Sequence, residues 1–157
     1  MKIEQVMSSP VQTIRRRDSL AKGARLLYEQ GGGCLAVVDG KGRVLGVLTE
    51  EGVCRASAFI QSPPMETPVG VAMSPTVPLL EAHTSLEKAH DQMRRARARC
   101  ALVLGPDQRP VGAVTLDDLG RQAVQELLSQ CSSYRAEQVV RTLAETRPGF
   151  PTPHAQA

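Results

Sequence analysis

Thr115 and Asp118 stand three residues apart in the stretch "GAVTLDDL" (112–119), and sixty-six positions earlier "GVLTEEGV" (46–53) repeats the glycine and threonine but has Gly52 where Asp118 falls. A carboxylate can accept from two adjacent hydroxyls, such as those of a ribose, and charge-assisted bonds of this kind contribute about 1.5–3 kcal/mol each. Where a strand ends and a helix begins at Thr115, its hydroxyl and the first-turn N–H groups add a site for phosphate or hydroxyl oxygens. The same spacing also serves the helix alone. With Thr115 as N-cap, Asp118 falls at the third helical position, where its carboxylate bonds back to the cap and meets the helix dipole. One residue can hold both roles.

The elements that must position this pair occur twice. Residues 7–53 align with 73–119 without a gap, and eleven of the 47 pairs are identical, among them Met7/Met73, Ser19/Ser85, Cys34/Cys100, Gly46/Gly112 and Thr49/Thr115. In the first copy "VQTI" (11–14) reads as a short strand and "SLAKGARLLYEQ" (19–30) as a helix capped by Ser19, with Leu20, Ala24, Leu27 and Tyr28 on one face. In the second copy Leu86, Ala89, His90 and Met93 take that face, and Thr84 with Glu87 has capping-box spacing. A glycine turn, the strands "LAVV" (35–38) and "VLGVLT" (44–49), and a helix from Glu50 complete a β-α-β-β-α unit. Two copies are too few for a solenoid, so they are expected to pack on each other as a pseudo-symmetric pair.

Composition excludes several functional classes. No stretch of the 157 residues approaches the ~18–20 apolar residues of a membrane span, and the opening "MKIEQVMSSP" has no apolar signal-like region. A soluble cytoplasmic protein without membrane contact is expected. Cys34, Cys54, Cys100 and Cys131 lack metal-ligand spacing, so we expect reduced thiols, no metal site, and packing roles for the equivalent Cys34 and Cys100. The arginine-rich "MRRARARC" (93–100) reads mainly as a solvated basic face at a helix end. It has no interleaved aromatics for stacking, and the net charge is only +3, which argues against nucleic acid. No nucleophile triad, paired-carboxylate site or P-loop is visible.

The ordered set of "VMSSPVQTI", the amphipathic helix, "GGGCLAVVDGKGRVLGVLT" and "VGAVTLDDL" resembles the tandem CBS-domain pair, or Bateman module, over roughly residues 3–122. The resemblance implies an α+β fold of two β-α-β-β-α CBS motifs packed as a pseudo-twofold pair. We place CBS motif 1 at 3–56, a linker at 57–70, CBS motif 2 at 71–122, a C-terminal helical extension at 123–146 and a disordered tail at 147–157. It further implies a regulatory module, not an enzyme and with no required cofactor. Such a module senses an adenine nucleotide (AMP, ADP or ATP) or S-adenosylmethionine between its motifs, forms a homodimer and modulates an effector protein. The alternative is a ligand-independent dimerisation or interaction scaffold.

Carried over residue by residue, the resemblance implies a nucleotide site at Thr115 and Asp118. Met7 and Gln12 would join from the first strand region, Gly32 and Gly33 from the turn after the helix, Ala113 beneath the base or ribose, and Arg99 near the phosphates. The opposite cleft would use Thr49, Pro78 and the turn at Ala98. Gly52 removes its ribose acceptor, which should weaken binding there by about 2 kcal/mol, roughly thirtyfold. His90 is expected as a partly buried neighbour of the core.

Overall fold

The computed structural model describes residues 1–130, so the helix expected over 134–145, most of the extension at 123–146 and the tail at 147–157 lie outside the described residues. The first half consists of β1 (Thr13–Arg15), α1 (Leu20–Glu29), β2 (Cys34–Val38), β3 (Val44–Thr49) and α2 (Glu50–Phe59). The second consists of β4 (Leu79–Glu81), α3 (Leu86–Ala96), β5 (Cys100–Leu104), β6 (Pro110–Thr115) and α4 (Leu116–Gln130). Internal packing separates Met1–Leu119, which holds both sheets, from Gly120–Ala157, whose described part is the remainder of α4. Among the described residues no helix is long and apolar enough to cross a membrane.

Each half is a three-stranded sheet with its middle strand parallel to the first and antiparallel to the third. A parallel pair needs a crossover, and α1 and α3 supply it. The registers agree at the sixty-six-residue offset: Ile14 faces Val37 as Leu80 faces Val103, and Cys34 faces Thr49 as Cys100 faces Thr115. Side chains of a strand alternate between faces. Leu35 and Val37 of β2 therefore enter the first-half core with Leu20 and Leu27, while Cys34, Ala36 and Val38 meet Cys100 and Leu102 in a third cluster between the sheets. The two halves are joined through that shared apolar layer.

Helix starts and faces differ from expectation in detail. Ser19 caps α1 by accepting from Lys22 N at 3.2 Å, as its position suggests. In α3 the cap is Ser85, which accepts from Lys88 N at 3.4 Å, and the expected Thr84–Glu87 box does not form. The Thr84 hydroxyl instead accepts from Glu81 N at 3.3 Å and closes the turn after β4. The buried stripe runs through Leu20, Gly23 and Leu27, so Ala24 is only half-buried and Tyr28 is exposed. Its counterpart in α3 runs through Ala89 and Met93, which leaves His90 exposed rather than against the core. Gly23 is a packing requirement: a Cβ there would stand 2.5 Å from Leu48 Cδ2.

The segments that precede the halves cross over. Ile3 is fully buried in the second-half core, and Val69 is fully buried in the first-half core. Each such side chain removed from water is worth about 1.5–3 kcal/mol. Short antiparallel bridges fix both crossings. Ser8 N donates to Ala113 O at 2.9 Å and Ser8 O accepts from Ala113 N at 3.0 Å; Ser74 N donates to Val47 O at 2.8 Å and Ser74 O accepts from Val47 N at 2.9 Å. The proline-rich stretch placed at 57–70 thus opens inside α2 and ends in the core, with Thr67 also buried and donating its hydroxyl to Pro63 O at 3.0 Å.

Candidate functional site

β6 delivers Thr115 to the start of α4, and the helix turns Asp118 back onto it. Asp118 Oδ2 accepts from Thr115 N at 2.9 Å and from Thr115 Oγ1 at 2.7 Å, while Asp118 N donates to Thr115 Oγ1 at 3.2 Å. This is a complete reciprocal cap. Leu116 N, another first-turn donor, is taken by Arg99 O at 2.9 Å. Both Thr115 and Asp118 are half-buried.

The first half reaches this corner through the start of β2. A Cβ at Gly33 would lie 3.9 Å from Thr115 Cγ2, so the glycine turn after α1 passes over the threonine. The positive φ of Gly33, 91°, suits glycine at that turn. Next in the chain, Cys34 is buried and its thiol hydrogen-bonds to the Cys100 thiol. That bond, burial and the nearby Asp118 carboxylate together push the Cys34 thiol up, while donation from Cys34 holds Cys100 below its ordinary value. The contact between two equivalent cysteines goes beyond separate packing roles. Their identity at one offset was the available signal, since equivalent positions near a pseudo-twofold axis meet each other.

The other residues singled out from the sequence distribute around this seam unequally. Met7 lies against Gly112, with its Sδ 2.6 Å from where a Cβ would be, and the adjoining Ser8 pairs with the buried Ala113. Gln12 is exposed, with its carbonyl accepting from Ala36 N at 3.0 Å. Arg99 is exposed, and what it brings to the corner is its backbone carbonyl. Gly32 faces away from Thr115: a Cβ there would meet Glu50 Oε1 at 2.9 Å, so that turn residue lies against the start of α2. Two of the clustered arginines are committed elsewhere, Arg94 at 3.1 Å and Arg95 at 3.6 Å from Asp91.

The equivalent corner of the first half is closed differently. Thr49 caps α2 by accepting from Gly52 N at 3.2 Å. Pro78 is half-buried and accepts from Leu102 N at 3.0 Å through its carbonyl, and Ala98 N donates to Met93 O at 2.9 Å. At Gly52 a Cβ would stand 2.5 Å from Ala72 O, a backbone atom of the crossing segment. The missing carboxylate is therefore a steric matter as well as a chemical one. Among the described residues no group of three or more His, Cys, Asp or Glu side chains is disposed to hold a metal ion.

Comparison with known proteins agrees with this architecture. An uncharacterized 17.7 kDa protein of Acidianus ambivalens is 25% identical over 120 residues, which is 76% of this chain and 71% of the relative. The solved CBS domain pair of protein MJ0100, in complex with 5-methylthioadenosine and S-adenosyl-L-methionine, superposes with a TM-score of 0.71 at 20% identity, covering 80% of this chain and 98% of that one. A putative signal-transduction protein with CBS domains from Burkholderia ambifaria gives 0.70 at 23% identity, covering 80% and 95%. Residues 3–58 and 69–122 each match the CBS domain, and the chain belongs to that family.

Proposed function

We propose that this CBS pair is a regulatory module that binds an adenosine-containing ligand at the Thr115/Asp118 corner and passes its occupancy to a partner protein. The observation that carries the reading is a half-buried carboxylate, locked to a threonine at a helix start, on the seam where Gly33 and Cys34 of the other half arrive. A carboxylate has about four acceptor directions, so capping and ribose binding are compatible in one group. The ligands named for the MJ0100 pair support adenosine as the shared chemistry. In this reading Met7 and Ala113 form the apolar wall, Gly33 leaves room for the base while Gly32 only shapes the turn, and Arg99 swings towards the phosphates. Gln12 borders the wall, and Thr49, Pro78 and Ala98 form a weaker cleft. The free thiols of Cys34, Cys54 and Cys100 suit a reducing cytoplasm.

Calorimetry with AMP, ADP, ATP, S-adenosylmethionine and 5-methylthioadenosine tests the reading. One of these ligands should bind one dominant site per chain, and Asp118→Asn should weaken it by about 10–100-fold with the fold retained by circular dichroism. Absence of heat from all five overturns it. The scaffold alternative rests on a different observation, the exposed Phe59, Met65 and Val71 near the end of α2 and the crossing segment. It predicts a homodimer in sedimentation whose mass ignores all five ligands.

A further inference from the structure

A cavity of about 610 Å3 lies at the hairpin end of the first half, away from the Thr115 corner. The residues of β2 separate the two places, since Cys34 pairs with Thr49 at one end and Val38 with Val44 at the other. At about 3.3 Å per residue, that is roughly 13 Å. The cavity is lined by four cations, Arg15, Lys22, Lys41 and Arg109, and two carboxylates, Asp18 and Asp39.

Both carboxylates are already engaged. Asp18 Oδ2 accepts from Arg15 N and from Lys22 Nζ, each at 3.0 Å. Asp39 Oδ1 accepts from Lys41 N at 2.8 Å and Arg43 N at 2.9 Å, and its Oδ2 accepts from Arg43 Nε at 2.9 Å. Arg15 and Lys41, by contrast, make no side-chain hydrogen bond or ion pair among the described residues. Arg109 comes from the second half and lies across Gly42, with its Nε 3.3 Å from where a Cβ would stand; its own carboxylate contact, to Asp107, is a loose 3.6 Å. Positive side chains from both halves thus converge on a space where four cations face two carboxylates, each already held by its own partners.

The pseudo-symmetric mate lacks this arrangement. At the sixty-six-residue offset Arg15 becomes Glu81 and Lys41 becomes Asp107, and the counterpart of Arg109 is Arg43, held by its own Asp39. The charge is therefore a property of this cavity and not of the fold. We propose that the hairpin-end cavity of the first half is a second ligand site, which takes a small phosphate-bearing molecule and joins the two halves through Arg109. Guanidinium groups match phosphate in two-point geometry, and the two lysines add compact charges. The site is independent of the adenosine site.

The test uses the full chain and inorganic pyrophosphate, with citrate as the carboxylate comparator. Titration followed by calorimetry and by backbone amide shifts should show saturable pyrophosphate binding, with the largest shifts at Gly40, Lys41 and Gly42. The double variant Arg15→Glu/Lys41→Asp, which installs the second half's residues at two exposed positions, should lower affinity by about tenfold or more. Arg109→Ala should lower it on its own. Shifts confined to Thr115–Asp118, an affinity indifferent to these variants, or citrate binding as tightly as pyrophosphate would each overturn the proposal.

Discussion

The Thr49 and Thr115 corners begin from the same parts: a third strand ending in threonine, a helix starting at the next residue, and a crossing segment bridged to that strand. They part at the third helical position. Asp118 fits and completes a reciprocal cap, whereas Gly52 lies under Ala72 O with no room for a Cβ. Gly46 and Gly112 show the same contrast. A Cβ at Gly46 would collide with the backbone carbonyl of Ser74, whereas at Gly112 the nearest atom is Sδ of the flexible Met7. The crossing segment is therefore pressed more tightly on the first half than on the second. Which corner can carry a carboxylate is decided by that backbone and not by the helix that bears the residue.

The comparison breaks most directly at the glycines. Gly46→Ala should destabilise by about 1–3 kcal/mol or more in urea unfolding, because the obstructing carbonyl belongs to a bridged pair and cannot retreat cheaply. Gly112→Ala should cost distinctly less, since a methionine side chain can swing aside. Equal losses would contradict the idea of unequal pressure. Gly52→Asp should be comparably costly and should fail to create a second copy of the site proposed at Thr115 and Asp118, a result that calorimetric stoichiometry would check. A stable Gly52→Asp protein that binds two ligands would show that the asymmetry is chemical alone.

Much of this was legible in the sequence, for a physical reason. A gap-free repeat carries strand positions, turn positions and buried runs at one offset, so reading either copy checks the other. Leu35–Val38 and Ala101–Leu104 are apolar throughout because both faces of their strands are covered. What escaped depends on contacts between copies. Ile3/Val6/Met7 and Val69/Ala72/Met73 have the spacing of a helical turn, but spacing does not say which half a turn buries into, so neither the crossing nor its pressure on Gly52 could be read. The core face of α1 was misplaced by one residue because its tightest position is a glycine, which hydrophobic patterning does not count. The cations of the hairpin-end cavity are spread from Arg15 to Arg109, and only folding gathers them.

A smaller effect sharpens the chemistry of the intact corner. Asp118→Ala removes the two carboxylate bonds of the reciprocal cap, leaving the backbone bond to Thr115 Oγ1, and should cost about 0.5–2 kcal/mol in thermal or urea unfolding, and Thr115→Ser should keep most of the cap. Thr49→Ala should fall at the low end of that range, because its corner has one cap bond where the other has three. A Thr49→Ala loss matching that of Asp118→Ala would remove the energetic distinction between the corners.

The smallest contrast lies in the turns before α1 and α3. Asp18 accepts from Arg15 N at 3.0 Å, and the Thr84 hydroxyl does the equivalent work on Glu81 N at 3.3 Å. The backbone bond from Arg15, partly opposed by burial and aided by Lys22, holds the Asp18 carboxyl below its ordinary value of 3.8. The folded chain therefore binds this proton more weakly than the unfolded chain. The contribution is complete above the ordinary value and is lost as pH falls through the lower folded one. Because Asp18 is half-buried at the surface and its bonds are partly screened by solvent, its share is a fraction of a kcal/mol. Thr84 does not titrate, so acid should loosen the turn before α1 ahead of the turn before α3. Amide exchange between pH 5 and 2 should then show protection at Leu20–Lys22 fading before that at Leu86–Lys88. Asp18→Thr, which copies the second half's turn, should bring the two into step; if the first half still led, the acid sensitivity would have to come from a carboxylate other than Asp18.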